Sequence, residues 1–151
     1  EINVIDIRPL AESIHSQIKF MQCNLMELDP QFEEITDSLS CLHALEHFGL
    51  GRYGDPINPL GYQPAFKNMA RMVRTGGRFY LSVPVGRPVV AFNAHRVFDP
   101  EELVALANPA LTLERFDYVD DVGDLFLTAK PKDASELEYG CGIFTFIKQG
   151  N

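Results

Sequence analysis

Short runs of apolar residues, separated by residues that favour turns, dominate the first third of the chain. The runs cover Ile2–Ile7, Ile18–Leu25 and Ser38–Leu45. Runs of this length that end at proline, asparagine or charged residues are typical of buried β-strands. Three later apolar runs also predict strands: Arg78–Val83, Leu111–Val119 and Gly140–Lys148. The segments 50–61, 85–98 and 120–138 show no regular pattern and are predicted to be loops, the last with room for one hairpin.

Helical spacing of apolar residues predicts two helices. From Tyr62 to Val73 apolar side chains recur every three or four residues, and the Gly76-Gly77 pair that follows is typical of a helix C-cap. A second helix is predicted to begin at Asp99-Pro100-Glu101-Glu102, with Asp99 as its cap and Glu102 completing a capping box. A short helix or turn is also indicated between the first two strands, where residues four apart are apolar: Leu10, Ile14 and Ile18.

Strands that alternate with helices predict an α/β fold with a mainly parallel sheet. The last two predicted strands have no helix between them, so we expect them to pair antiparallel at one end. The 151 residues fit one domain. Because the chain begins at Glu1, without methionine and directly before a strand, we expect a domain that is trimmed at its N-terminus.

Composition narrows the classes of partner. Thirteen basic against 21 acidic residues give a net charge of −8, which argues against nucleic acid or an anionic membrane as a partner. No apolar run approaches the roughly 20 residues of a membrane span. Cys23, Cys41 and Cys141 are odd in number and form no CxxC pair, which favours a reducing cytoplasm. The pattern leaves the oligomeric state open.

Four segments occur in an order that is informative as a whole. A strand ends in an acid at Val4-Ile5-Asp6, the next ends at Cys23-Asn24-Leu25, Asp37–His47 ends in Leu-Glu-His, and Lys67–Pro84 combines a helix, a Gly-Gly turn and a strand. In this order and spacing they resemble the class I S-adenosylmethionine (SAM) methyltransferase family. The resemblance implies a Rossmann-like fold and SAM as cofactor.

The resemblance also implies roles for particular residues. The carboxylate of Asp6 would accept hydrogen bonds from the ribose hydroxyls, as acids at strand ends do in nucleotide-binding sheets, although it could instead cap the turn before Pro9. Asn24 stands where the family usually has aspartate, and with the backbone of Leu25 it would contact adenine. Cys41 and Leu42 would line the pocket beside the methyl donor.

The family's first strand and its glycine-rich loop would precede Glu1. In the family's strand order, 3-2-1-4-5-7-6, that strand is central. Without it we expect the second and fourth strands to face a gap one strand wide, with roughly 4.8 Å on either side of the missing strand. Alternatively, the sheet closes differently. We therefore expect weak or absent SAM binding by this chain.

Candidate catalytic and substrate-binding residues cluster after the third predicted strand. His43 suits a general base that takes a proton from a methyl acceptor, or it is a pocket or core histidine. Glu46 and His47 would act on the substrate or orient the loop. Further candidates lie in the two irregular loops that follow the strands, where ligands of α/β sheets bind, or they are loop structure: Tyr53, Asp55, His95 and Arg96, the last as an anion clamp.

Two other kinds of site are disfavoured. His43, Glu46, His47 and Asp55 are good metal-ligand types, but the strand predicted up to Leu45 separates the two histidines, so we expect no metal. The glycines of Gly49–Gly54 lack the Lys-Ser/Thr end of a phosphate-binding loop.

Three functions remain to be compared. His43–Asp55 and Asn93–Glu102 resemble an uncharacterised, domain-of-unknown-function branch of methyltransferase-like proteins that is often linked with bacterial surface-sugar pathways. The resemblance therefore implies methyl transfer to a small or sugar-linked acceptor. The alternative is a non-catalytic, methyltransferase-like binding domain. A nicotinamide-binding protein is disfavoured by the Leu-Glu-His strand end and the antiparallel tail.

Overall fold

The computed structural model describes residues 2–10, 15–27 and 30–150, and within them it contains nine strands and two α-helices. The strands are β1 (Ile2–Asp6), β2 (Ile18–Gln22), β3 (Thr36–Leu42), β4 (Val73–Val85), β5 (Val89–Ala91), β6 (His95–Val97), β7 (Leu111–Val119), β8 (Leu125–Phe126) and β9 (Gly140–Lys148). The helices are α1 (Tyr62–Met72) and α2 (Pro100–Ala107). The helix or turn expected around Ile14 falls largely on residues 11–14, outside the described residues.

The main sheet has five strands in the order β3-β4-β9-β7-β8. Strands β3 and β4 are parallel, but β9 lies between β4 and β7 and is antiparallel to both. The prediction of a mainly parallel sheet is therefore wrong for this part of the chain, although the predicted antiparallel pairing of the last two strands is confirmed. The reason is that no crossover α-helix lies between β7 and β9. The chain therefore turns back on itself, and β9 enters the sheet in the opposite direction.

Two smaller sheets flank the main one. Strands β1 and β2 pair in parallel, and β5 and β6 form a short antiparallel hairpin inside the segment 85–98 that was expected to be irregular. Across the described residues, no ladder of hydrogen bonds joins β1 to β3, which is the edge strand of the main sheet. The β1–β2 pair and the main sheet are thus separated at this point.

Helix α1 ends earlier than its sequence predicts. Val73 is already extended and pairs with Thr36, so the helix ends at Met72 and the Gly76-Gly77 pair lies inside β4. Gly76 has a φ of +80°, and the register between β3 and β4 shifts at this point. The glycine pair therefore forms a bulge in a strand, where a left-handed residue is needed, and does not cap a helix.

The third strand also ends earlier than predicted. β3 ends at Leu42, His43 has a left-handed φ of +48°, and Leu45–His47 form a single 3-10 turn. A non-glycine residue in this region carries backbone strain, which is often found at functional sites. The turn places the side chains of His43, Glu46 and His47 at the carboxyl end of β3.

A core of aromatic and aliphatic side chains fixes these elements. Phe66 on α1 packs against Phe79 of β4 and Phe146 of β9, with ring centres 5.4 and 5.9 Å away. All three side chains are fully buried.

Helix α2 begins as predicted, because the carboxylate of Asp99 accepts a hydrogen bond from the backbone N–H of Glu101. No helix in the part of the chain that the structure describes has both the length and the apolar character needed to cross a membrane.

Candidate functional site

A cleft lies where the carboxyl ends of β1, β2 and β3 meet. Its cavity volume is about 150 Å³, which is smaller than the roughly 300–1,000 Å³ usual for small-molecule sites. Seven of the predicted site residues line it: Asp6, Asn24, Leu25, His43, His47, Tyr53 and Asp55. Apolar side chains complete its walls: Ile5, Ile7, Met26 and Phe48.

Asp6 lies at the end of β1, and its carboxylate is paired within the chain. Arg8 donates to Oδ1 through its backbone N–H and Nε, at 2.9 and 3.0 Å, and to Oδ2 through Nη2 at 2.7 Å. These hydrogen bonds lower the pKa of Asp6 from its ordinary value. The Arg8 guanidinium also lies 4.6 Å from the ring centre of Tyr53, a cation–π contact between the two sides of the cleft.

The end of β2 forms another wall of the cleft. The side-chain oxygen of Asn24 accepts a hydrogen bond from the backbone N–H of Met26, at 3.1 Å, and so closes a tight turn. The carbonyl of Leu25 accepts a hydrogen bond from the amide of Asn68 on α1, at 2.9 Å. This contact attaches the turn to the helix that packs on the main sheet.

Three ionisable side chains converge after β3. The Glu46 side chain is only 3% exposed, and its Oε1 lies 3.4 Å from Nδ1 of His43 and 3.7 Å from Nε2 of His47. His47 donates through Nδ1–H to the carbonyl of Ala94 in the β5–β6 connection. The side chain of His43 is half exposed and faces the cleft. A buried carboxylate thus orients two imidazoles at the cleft wall.

Asp55 holds the loop that forms the far wall. Its Oδ2 accepts hydrogen bonds from the backbone N–H groups of Gly49 and Gly51, and its Oδ1 accepts one from Tyr53. Gly49 has a φ of +75°, and a Cβ there would lie 1.9 Å from the carbonyl oxygen of Asn58. The loop is therefore built around a buried carboxylate and a position that only glycine can occupy.

Arg96 is buried beneath the same loop. Its guanidinium donates to the carbonyls of Glu46, Phe48 and Pro59, and lies 5.0 Å from the ring centre of Tyr62. Burial lowers the pKa of Arg96 from its ordinary value. Both Nη groups of Arg96 thus donate hydrogen bonds to backbone carbonyls, and the side chain connects β6 to the 3-10 turn after β3 and to the loop that Asp55 holds.

Five of the predicted site residues do not line the cleft: Cys41, Leu42, Glu46, His95 and Arg96. Cys41 points into the core, and burial raises the pKa of its thiol to about 12. Leu42 points outward and is exposed. The ring of His95 packs edge-on against Tyr139, with ring centres 5.1 Å apart.

Two residues that the sequence did not single out belong to this region. Arg8 lines the cleft, and a basic residue two positions after a strand-ending acid is a signal that could have revealed it. Cys141, at the start of β9, places its Sγ 3.3 Å from Nε2 of His43. No sequence pattern links these two residues, because 98 positions separate them.

Among the described residues, no group of three or more His, Cys, Asp or Glu side chains has the geometry of a metal site.

Solved structures with this fold are methyltransferase-like. The 1,6-didemethyltoxoflavin-N1-methyltransferase of Burkholderia thailandensis, solved with its substrate and S-adenosylhomocysteine, matches 98% of this chain and 61% of its own, at 20% identity and a TM-score of 0.64. The N-methyltransferase NodS of Bradyrhizobium japonicum, also solved with S-adenosylhomocysteine, matches 98% of this chain and 66% of its own, at 16% identity and a TM-score of 0.62. This chain thus spans less than two thirds of either protein.

The same fold also occurs in a cyclase. The [4+2]-cyclase SpnF matches 90% of this chain and 58% of its own, at 15% identity and a TM-score of 0.61. At such identities the likeness shows the fold alone, since one fold hosts different chemistries. No curated protein matches the chain.

A family-level match covers most of the sequence. Residues 3–130 match the family described as "Caenorhabditis protein of unknown function, DUF268". The matched region contains β2 to β8, β1 except for its first residue, and every residue that lines the cleft. The chain therefore belongs to the DUF268 family, whose function is unknown, and its fold is similar to that of the solved methyltransferases.

Proposed function

We propose that this protein binds SAM in the cleft and transfers its methyl group to a small or sugar-linked acceptor. The observation that carries the proposal is that one cleft gathers the carboxylate of Asp6 and the amide of Asn24 from the carboxyl ends of neighbouring parallel strands. Ligands of open α/β sheets bind at such strand ends. The chemical nature of this donor set fits the nucleoside part of SAM.

Each wall of the cleft has a function in this proposal. The carboxylate of Asp6 accepts hydrogen bonds from two vicinal hydroxyls once Arg8 has moved aside. Asn24 and the backbone of Leu25 contact the adenine ring, and Ile5 and Met26 offer it apolar surface. When bound, SAM supplies an electrophilic methyl group on a sulfonium centre.

The chain's own residues then position the acceptor and manage its proton. His43 is the general base, since a neutral imidazole nitrogen can take the proton from an attacking hydroxyl or amine. Glu46 holds the imidazole through Nδ1 and stabilises the positive charge that develops on it. Tyr53 and His47, which pack edge-on with ring centres 5.5 Å apart, form the acceptor's side of the cleft.

Calorimetric titration with S-adenosylhomocysteine tests the proposal. We expect saturable binding weaker than micromolar, because Arg8 already occupies both oxygens of Asp6 and must be displaced. Binding should also raise the melting temperature, and the rise should continue with the logarithm of ligand concentration beyond saturation. Absence of a saturable signal up to millimolar ligand would contradict the proposal.

A non-catalytic binding domain is the second candidate function. It is favoured by the fact that polar atoms of both Asp6 and Asn24 are already paired within the chain. The methyltransferase-like fold of the cyclase SpnF also shows that the fold does not dictate methyl transfer. This candidate predicts no saturable heat with either SAM or S-adenosylhomocysteine from a protein that melts cooperatively.

A further inference from the structure

A thiol, an imidazole and a carboxylate lie in a row at the carboxyl end of β3. The Sγ of Cys141 is 3.3 Å from Nε2 of His43, and Nδ1 of the same ring is 3.4 Å from Oε1 of Glu46. The three groups come from the start of β9, the left-handed residue after β3 and the 3-10 turn that follows. A nucleophile, a base and a group that orients the base have this mutual geometry in covalent catalysis.

The buried carboxylate is the part of this row that packing alone does not explain. Glu46 is 3% exposed, and its Oε2 has no hydrogen-bond partner among the described residues. Such a carboxylate is costly unless a positive charge compensates it. His43, whose Nδ1 lies 3.4 Å from Oε1, is placed to compensate this carboxylate.

The contacts also define the proton positions on the ring. A carboxylate that faces Nδ1 favours the tautomer with its proton on Nδ1, which leaves a lone pair on Nε2. That lone pair points at the thiol of Cys141. Cys141 is thus the group within the chain that His43 is placed to deprotonate.

We infer that Cys141, His43 and Glu46 form a nucleophilic triad that reacts with small alkyl electrophiles. In this step the thiol proton passes to Nε2 of His43 while Sγ attacks the electrophilic carbon and forms an S–C bond. The leaving group departs with its bonding electrons, and the imidazolium, held by Glu46, then releases its proton to water. The Cys141 side chain is partly exposed, and the half-exposed His43 beside it lines the cleft.

The triad differs from a cysteine that rests as a thiolate. Burial, followed by the charge of Glu46, raises the pKa of the Cys141 thiol, so the sulfur keeps its proton until the base takes it. A partly buried thiol whose pKa is raised is a poor nucleophile without a base, because the thiolate is the reactive form. Two other titratable groups surround the row: His47, which faces Glu46, and Tyr139, whose pKa is raised by burial and then by Glu46 and Cys141.

Alkylation by iodoacetamide, followed by peptide mass spectrometry, tests the inference without SAM. The rate at Cys141 is measured relative to Cys23 in the same sample, so changes in reagent or global unfolding are recognised. In His43→Asn the relative rate at neutral pH should fall by about 100-fold, the usual size of a general-base contribution. Asparagine tolerates the left-handed backbone of residue 43, so this variant preserves the turn.

Two further variants complete the test. Glu46→Gln should lower the rate less than His43→Asn does, because the imidazole base remains and only the charge that faces its Nδ1 is removed. His15→Gln, which changes an exposed histidine outside the cleft, should leave the rate unchanged. Equal rates at Cys141 in the wild type and His43→Asn would overturn the triad.

The pH profile of the wild type gives a second readout that needs no variant. Base assistance predicts alkylation of Cys141 at neutral pH, well below the thiol's own ionisation. A profile that rises only above the ordinary thiol range of about 8.5 would overturn the inference, because the thiol would then react unaided.

Discussion

Arg8 and Asp6 form a two-pronged ion pair at the mouth of the cleft, with Nε 3.0 Å from Oδ1 and Nη2 2.7 Å from Oδ2. This geometry matches the planar guanidinium to both carboxylate oxygens. The same oxygens are those that a ribose would need in the proposed function. The pair therefore favours the ionised form of Asp6, and a ligand that binds this carboxylate must first break the ion pair with Arg8.

The first prediction concerns the pKa of Asp6. In Arg8→Gln the pKa should rise towards its ordinary value, because the side-chain hydrogen bond that lowers it most is lost. Because the pKa of Asp6 is lower in the folded than in the unfolded protein, its ionised carboxylate stabilises the fold at pH values above the unfolded-state pKa of about 3.9. This stabilisation is lost as the pH falls through the folded-state pKa. Carboxyl titration by NMR measures the shift. Arg87→Gln, which removes an exposed partner of Glu136, is the matched control and should leave Asp6 unchanged.

The second prediction concerns ligand affinity. Asp6→Asn should weaken binding of S-adenosylhomocysteine by about 1–3 kcal/mol, since an amide cannot accept at both positions. Calorimetry of the variant beside Asp124→Asn measures the difference, because Asp124 is exposed in the segment before β8 and lies outside the cleft. Equal affinity in Asp6→Asn and the wild type would remove Asp6 from the cofactor site.

The third prediction concerns the stability of the loop over the cleft. Asp55→Asn should destabilise the fold by about 1–3 kcal/mol, because one of the two acceptors for the N–H groups of Gly49, Gly51 and Tyr53 is lost. The melting temperature should fall by about 2–4 °C for each kcal/mol. Asp37→Asn is the control, because its exposed ion pair with Arg74 contributes about 0–1 kcal/mol. Equal melting temperatures for the two variants would contradict a structural role for Asp55.

The fourth prediction concerns the core beneath the site. Phe79→Ala should cost about 3–5 kcal/mol of unfolding free energy, because its fully buried ring packs between Phe66 and Phe146. Phe92→Ala, at a position that is 70% exposed, should change the stability by less than about 0.5 kcal/mol. Chemical denaturation of both variants checks the difference. A loss below 1 kcal/mol in Phe79→Ala would show that the ring is not a structural centre of the core.

Local signals in the sequence were sufficient for several elements. The spacing of apolar residues predicted α1, and the Asp99-Pro100 pair predicted where α2 begins, because capping and periodicity depend on residues a few positions apart. The resemblance to the methyltransferase family, rather than periodicity, singles out Asp6 and Asn24, and both residues line the cleft. Gly76-Gly77 was assigned wrongly, since a glycine pair is compatible with both a cap and a bulge, and the pairing of Val73 with Thr36 selects the bulge.

The sequence by itself thus determined both α-helices and most strands of the main sheet, although not the β5–β6 hairpin or the boundary between α1 and β4. Only the tertiary structure decided that β9 lies between β4 and β7, and this order brings Cys141 to His43 across 98 residues. It also decided that Arg96 is buried by backbone carbonyls and that Arg8 covers Asp6. These contacts depend on sheet order and on burial, which arise from packing between distant segments and leave no periodic trace along the chain.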